Sequence, residues 1–569
     1  LNLLTRAAPF SAGGPLYTRY AEGQDDGIAA LFDHYPHPSP FPDGRHQRLD
    51  AAVRLRTRRV DIEYTADRGF VSAALASLNR RLGAPAAAVA AAERLADPRA
   101  LAVVTGQQAG LLGGPLYTLY KAAGAIAVAS RLERSIDRPV VPVFWAATED
   151  HDLAEVDHTW LLDRNERWRR LRFRPSSPHR GSSVGAIALD RSSLEHLLAD
   201  LRSTLPVGLA ASDMLGIVEE AARASGTFGE WFCRLVAALA GRYGLVVADP
   251  MDPALRRAAA PGVAAVLQRQ AQLSAGLAQG HAAVAALGYT PQLEISEQDA
   301  QLFWYPEGPG GPRLALARQP LASGHGSEPV FASRSGDGPA LPLSSLLEML
   351  DDQPERFSGN VATRPLLQDT ILPTLAYLAG PGEVAYYAML GPSYQALGRT
   401  MPVIWPRPSY TVVEPAVGHL MRKRGLDIPS LPQDLERATA QITEAADSVG
   451  IEALFGRAWD KVAEIYGEIE PALAGVDDVL GRLAVSNRAR VERELDWLRR
   501  KAWQVARQRA AIELGQVQRI ANHLWPRRGM QERLAGMVGL LARHGPGLVG
   551  ELAALDPGPP FVHQFLFVR

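Results

Sequence analysis

Four ionisable residues stand in a row at Glu149-Asp150-His151-Asp152, with Glu155, Asp157 and His158 close behind. Residues of these types can do three things. His and carboxylates could bind Mg²⁺, Mn²⁺ or Zn²⁺. His151, held by a neighbouring carboxylate, could act as a general base. The acidic groups could instead cap the next helix, since Asp readily accepts from free N-terminal amides. If the strand stayed extended, alternation would put Glu149 and His151 on one side, Asp150 and Asp152 on the other.

A second candidate site lies upstream, where Thr105–Pro115 holds Gly106, Gly110, Gly113 and Gly114 in eleven residues. A glycine turn that opens a helix leaves backbone amides aimed at whatever sits above, and such amides favour an anion. Gln107 and Gln108 add neutral donors and acceptors, and Lys121 follows on the first turns of the helix. The chain has four lysines (121, 423, 461 and 501) among 60 basic residues, so arginine is accepted almost wherever a cation is wanted. An ammonium is compact and can lose its proton when desolvated. Lys121 is therefore either a phosphate or carboxylate contact or a surface lysine on an amphipathic helix. The motif is neither a Walker A loop nor GxGxxG.

These residues need elements to hold them. Leu101–Val104 is a short apolar run of strand length, and the pattern turns helical from Leu116 to about Glu133. Pro139–Thr148 is a second buried strand, and it runs straight into the Glu149 cluster. Leu245–Ala248 is a third short strand. Phe357–Gly398 contains Arg364-Pro365, the cluster Gln368-Asp369-Thr370 and an apolar run to Ala379. A second glycine turn, Gly380-Pro381-Gly382-Glu383, then opens a helix carrying Tyr386 and Tyr387. Glu383 at that helix start also reads as an ordinary cap. Pro402–Trp405 is a last strand, followed by Arg407 between two prolines. Two strand–glycine turn–helix units in one α/β region predict a single doubly wound sheet, with ligands beyond its carboxyl ends.

Around this core, residues 1–50 read as irregular, with HYPHPSPFPDG wrapping the surface, and 51–98 as helices. Residues 159–190 and Tyr289–Ala317 read as β insertions, 191–286 as mostly helix, and 319–340 as a Gly- and Ser-rich mobile loop. Beyond Glu414, Val491, Leu495, Leu498, Ala502, Val505 and Ile512 form a heptad seam in a helix of about 478–524. A helix this long needs an antiparallel partner, with Glu436–Leu473 the candidate, or a second subunit. The apolar tail PPFVHQFLFVR needs docking as a strand.

Composition sets bounds on function. The chain has 569 residues, 47% of them hydrophobic and 21% charged, with net charge −1. That is an ordinary globular composition, without the basic field expected of a nucleic-acid binder. A single cysteine, Cys233, excludes an internal disulfide and a Cys-rich zinc site, and its apolar helical context predicts a buried thiol. No apolar run approaches the roughly 18 to 20 residues needed to span a bilayer. The start, LNLLTRAAPFSAGGP, lacks the features of a signal peptide, so the cytoplasm is the expected compartment.

The blocks GQQAGLLGGPLYTLYK, VPVFWAATEDHD, RPLLQDTILPTLAYLAGPGEVAYYAML, WPRPSYTVVE and LWPRRGMQER, with the closing H-Q-F, resemble the bacillithiol-biosynthesis cysteine-adding enzyme (BshC) family. The likeness covers essentially the whole chain. It implies a Rossmann-like core over 1–414, related to nucleotidyltransferases and class I synthetases. Connecting-peptide insertions would lie at about 155–200 and 288–345. Residues 415–569 would form a helical coiled-coil domain used for homodimerisation. The implied reaction joins L-cysteine to the amino group of glucosaminyl malate as an amide, with no nucleic acid or membrane partner.

On that resemblance Glu149, Asp150, His151, Asp152 and Lys121 carry the chemistry. Gln107, Gln108, Tyr117, Gln368, Asp369, Glu383, Tyr386 and Arg407 bind substrate. If ATP with Mg²⁺ activates cysteine, Gly106, Gly110, Gly113, Gly114, Gly380 and Gly382 would cradle phosphate; no zinc is expected. GPLYTLYK stands where class I adenylating enzymes carry HIGH, and no KMSKS-like loop is present. Two other readings stay open: a different ATP-dependent nucleotidyltransferase or ligase on the same scaffold, and a non-catalytic dimeric scaffold that binds a nucleotide.

Overall fold

The computed structural model describes residues 3–7, 13–23, 25–35, 47–176, 181–319, 328–428, 430–445, 449–558 and 561–568. Its contacts divide into two compact units, Leu1–Val412 with Met530–Arg569, and Val413–Gly529.

The first unit is built on five parallel strands: β1 (Leu101–Gln108), β2 (Val140–Ala147), β3 (Val246–Ala248), β4 (Thr374–Ala379) and β5 (Val403–Pro406). Their spatial order is β5-β4-β1-β2-β3. Leu101–Val104, Val140–Trp145 and Thr374–Ala379 are continuously buried, as strands covered on both faces must be. Chain order reverses beside β1, and this switch point is where a doubly wound sheet opens a crevice. The helix after β1, α1 (Leu116–Ile136), ends at Asp137 in the left-handed region (φ 51°), two residues before Pro139. Two short helices matter below: α2 (Arg364–Ile371) and α3 (Pro381–Tyr387).

The first β insertion is an antiparallel pair, His158–Leu162 with Trp168–Arg172. The second is a five-stranded antiparallel sheet with Leu314–Arg318 in the middle, Asp299–Trp304 beside it and Phe357–Gly359 at one edge. One of its strands, Val330–Ser333, lies inside the stretch expected to be loop; residues 320–327 of that stretch fall outside the described residues. Four residues flanked by Gly, Ser and Pro carry too little periodicity to be read from sequence, and the neighbouring strand supplies the order. The irregular start also differs from expectation. Leu3–Ala7 pairs antiparallel with the tail strand Gln564–Val568, and Pro15–Glu22 is a helix. Residues 36–44 of HYPHPSPFPDG are outside the described residues. Cys233 is fully buried, and burial pushes its thiol well up.

The second unit is helical: Pro415–Arg424, Leu431–Ala445, Ile451–Ala474 and the 47-residue α4 (Asp478–Leu524), which Asp477 caps by accepting from Val479 N–H at 2.7 Å. Ile451–Ala474 runs antiparallel along α4, joined by Arg499–Glu452 (2.8 Å) and Arg488–Glu470 (3.9 Å). That partner leaves much of the heptad seam uncovered. Leu498 is 51% exposed and Ile512 57%. No helix among the described residues is long and apolar enough to cross a membrane.

By contacts, Met530–Arg569 clusters with the first unit. The cause is local. Glu532 is completely buried and makes a two-point ion pair with Arg407 (2.6 and 3.0 Å). His563 bridges Ser409 Oγ (2.7 Å) and Thr411 Oγ1 (2.9 Å).

Candidate active site

A cavity of about 1190 Å³ opens at the carboxyl ends of the parallel strands, entirely within the first unit. Its floor comes from residues in or just past four of the strands: Gly106, Gln107 and Gln108 from β1, Glu149, Asp150 and His151 just past β2, Tyr377 from β4, and Arg407 after β5. Gly380, Gly382, Glu383 and Tyr386 enter from α3, Tyr117 and Lys121 from α1. With Arg533 also in the lining, residues up to 427 positions apart in sequence are brought to one crevice.

Lys121 is buried, not a surface lysine. Its three ammonium donors have three partners: Gly106 O (2.7 Å), Gln107 Oε1 (3.1 Å) and Glu383 Oε2 (2.6 Å). Burial lowers the ammonium's pKa, and the Glu383 charge opposes that shift. For Glu383 burial acts upward, but Lys121, the Tyr377 hydroxyl (2.6 Å) and Gly380 N–H (2.6 Å) outweigh it and hold the carboxyl below its usual value. Glu383 therefore does cap α3, through Gly380 N–H, and carries the ion pair as well.

The Glu149–Asp152 row divides its work. β2 stops at Ala147 and the chain turns, with Thr148 N–H donating to Ala146 O, so strand alternation does not extend to these residues. Glu149 pairs with buried Arg256 at 3.0 Å. Asp150 accepts from Gln108 Nε2 (2.6 Å) and from the His151 backbone N–H (2.7 Å). Asp152 caps Leu153–Val156, accepting from Ala154 N–H (3.0 Å) and Glu155 N–H (3.4 Å), and does not line the cavity. His151 does, with Arg313 Nη1 at 3.4 Å from its Nδ1. A guanidinium can only donate, so Nδ1 accepts there and a neutral His151 carries its proton on Nε2. Among the described residues no group of three or more His, Cys, Asp or Glu is placed to hold a metal ion.

Several expected contacts sit elsewhere. Gln368 and Asp369 lie behind the cavity wall: Gln368 Oε1 accepts from Arg364 (3.1 Å) and Asp369 from the Tyr394 hydroxyl (2.8 Å). Gly110, Gly113 and Gly114 also lie off the cavity. Gly113 has φ 82°, and a Cβ there would overlap the Met537 side chain; a Cβ at Gly110 would meet Gly114 Cα. The first amide of α1, Leu116 N–H, donates to Ala535 O (2.8 Å), and Met537 N–H to Gly114 O (3.0 Å). The first amide of α1 is thus taken by the C-terminal segment, and Gly110 and Gly113 are tightly packed there. Arg407, offered as a carboxylate contact, is committed to Glu532 and lies over the Tyr117 ring at 5.5 Å.

Sequence reasoning passed over Arg313, Arg364, Tyr377 and Glu532. Arg364 was visible as the residue before a proline in the Gln368-Asp369 block, and Glu532 inside the GMQER segment. Arg313, beside a glycine-rich turn, gave no signal.

The chain matches two family models, "Bacillithiol biosynthesis BshC, N-terminal Rossmann-like domain" over residues 5–408 and "Bacillithiol biosynthesis BshC, C-terminal coiled-coil domain" over 410–568. It is 36% identical to "Putative cysteine ligase BshC" of Heliobacterium modesticaldum over 530 residues, covering 90% of this chain and 92% of that one. The protein of the same description from Symbiobacterium thermophilum is 34% identical, covering 92% and 94%. That from Geobacillus sp. (strain WCH70) is 29% identical over 99% of both. With a Rossmann-like core, a coiled-coil unit and chain-long likeness in hand, this protein belongs to the BshC family of bacillithiol biosynthesis.

Proposed function

We propose that the chain is a cytoplasmic cysteine ligase that forms an amide between the carboxyl of L-cysteine and the amino group of glucosaminyl malate, the last step of bacillithiol biosynthesis. The observation that carries this reading is the likeness, over 90% of the chain, to a relative described as a cysteine ligase. The cavity supports it: about 1190 Å³ exceeds a typical single-ligand site and has room for two small substrates together.

In the net reaction a C–N bond forms as the cysteine acyl carbon loses one carboxyl oxygen, which leaves with phosphate from the ATP consumed as co-substrate, and the attacking amine gives up a proton. Asp150 and His151 are the half-exposed groups of the acidic row that face the cavity. Asp150 accepts the amine proton, and His151 donates through Nε2 to the oxygen of the acyl group. Lys121, Glu149, Glu383 and Arg407, each held in an ion pair, position the floor. ATP–Mg²⁺ is the co-substrate of this proposal. The Gly110–Gly114 turn does not fit as its phosphate cradle, since Ala535–Met537 occupies it, and no step is routed through a nucleotide here. The exposed seam of α4 is the proposed homodimer surface.

The test incubates the purified chain with L-cysteine and glucosaminyl malate, with and without ATP–Mg²⁺, and looks for the amide by mass spectrometry. ATP-dependent product that disappears in Asp150→Asn/His151→Ala supports the reading. Turnover with a different acid and none with cysteine would favour another ligase on this scaffold. A folded protein giving no product with either would end the catalytic reading.

A further inference from the structure

Five arginines and one lysine line the cavity, and three of the six are paired with carboxylates. Lys121 has Glu383, Arg407 has Glu532, and Arg334 has Asp299 at 3.4 Å. Arg313 and Arg364 differ. Arg313 is buried and donates to Ser358 Oγ (3.0 Å), Gly359 O (2.6 Å) and His151 Nδ1 (3.4 Å), with its guanidinium 3.9 Å from the Phe303 ring centre. Arg364 donates to Gln368 Oε1 (3.1 Å) and to the hydroxyls of Tyr386 (2.6 Å) and Tyr377 (3.3 Å). Every one of those partners is neutral. Among the described residues neither guanidinium has a carboxylate within 4.0 Å.

A guanidinium has five N–H donors, so three partners leave two unused on each arginine. Desolvating a cation with no carboxylate in contact is costly; Arg313 is buried that way, and half-buried Arg364 feels Glu383 only beyond contact distance, so both have room for an anion from outside. They are also held together. Arg313 grips Gly359 O, and Arg364 N–H donates to Asn360 O (2.8 Å) in the same turn. The turn is tight enough that a Cβ on Gly359 would lie 3.0 Å from Arg364 N. Aromatic rings beneath both guanidiniums (Phe303, and Tyr377 at 5.3 Å) keep their planes, and so the directions of the remaining N–H donors, fixed.

We propose that Arg313 and Arg364 are the carboxylate-reading pair of the cavity and bind the two malyl carboxylates of the acceptor substrate. This deepens the ligase reading and rests on it for the acceptor's identity. The pair also sets orientation. Arg313 touches His151, so a malyl group held there brings the amino sugar to the Asp150–His151 side.

The experiment is isothermal titration of the full-length protein with L-malate and with methyl glucosaminide, which has the sugar amine but no carboxylate. It is repeated on Arg313→Gln, Arg364→Gln and the two Lys variants, each checked for an unchanged melting transition. We expect malate to bind the wild type, to weaken with added salt, and to lose at least tenfold in each Gln variant. The Lys variants recover part of that loss, and methyl glucosaminide is indifferent to all four. Should a Gln variant fail to fold, its Lys counterpart replaces it, with a smaller loss of malate affinity expected. Malate binding equal in wild type and folded variants, or no malate binding to the wild type, overturns the proposal. Because titration needs no turnover, malate binding as expected without amide formation would sink the reaction and leave the pair standing. Amide formation with unchanged KM for glucosaminyl malate in the variants would do the reverse.

Discussion

The ammonium of Lys121 meets the carboxylate of Glu383 at 2.6 Å, tying the helix after β1 to the helix after β4 across the switch point of the sheet. The Lys121 and Glu383 side chains are 5% and 17% exposed, so each ion depends on the other for compensation. Lys121→Met should destabilise the first unit by about 3 kcal/mol, because it strands a buried carboxylate. Lys121→Met/Glu383→Gln should recover more than half of that loss. Urea unfolding of the three variants measures it, and additive losses would show that the two residues do not act as a pair.

The glycine turn gives a second expectation. Gly113→Ala forces a side chain into Met537 at a left-handed position and should lower stability by about 2 kcal/mol or more. Gly382→Ala meets nothing within 4 Å and should leave stability within about 0.5 kcal/mol of wild type. Thermal melts of both decide the matter. Equal effects would contradict the packing role assigned to the upstream glycines.

His563 predicts an acid limb. Burial lowers its pKa from 6.5 to about 4, so it folds neutral and the unfolded chain binds the extra proton between those values. Stability is then full above pH 6.5 and falls as the pH drops toward 4, by about 3 kcal/mol from this residue. Buried His34, also lowered to about 4, acts in the same direction. His563→Gln should be less stable at pH 7 yet lose less between pH 6.5 and 4. Parallel stability curves for variant and wild type would rule this out.

Leu498 and Ile512 test the proposed dimer surface. With 51% and 57% of their surfaces exposed on α4, both should be covered by a second copy. Leu498→Glu/Ile512→Glu should convert the protein to a monomer in light scattering without loss of helicity. A wild type that is already monomeric at tens of micromolar would remove the basis for the proposal.

The parts of the fold that were legible are those written in local pattern. Leu101–Val104 and Pro139–Thr148 announced buried strands by unbroken apolar runs, and the heptad from Val491 to Ile512 announced α4. Lys121 stood out because lysine is rare in this chain. What stayed hidden depends on partners far off in sequence. Arg407 looked available for substrate until Glu532, 125 residues later, came to it, and Arg313 reaches His151 across 162 positions. Asp152 takes the capping role, one of the three readings of its row, because the chain turns at Thr148 and a short helix starts after it. Periodicity records which face an element buries, and carries no information about which charge will meet it.

The return of Met530–Arg569 to the first unit has a consequence for synthesis. Arg407 is made long before Glu532, and the tail strand Gln564–Val568 is the last piece of its sheet. As the chain leaves the ribosome, Leu3–Ala7 and Tyr410–Val413 lack the strand that lies between them, and Arg407 has no counter-ion, until the whole helical unit has been translated. The first unit therefore completes only once Gln564–Val568 has been translated, and a chain released before that point would hold an open core for the cell's proteases to recognise.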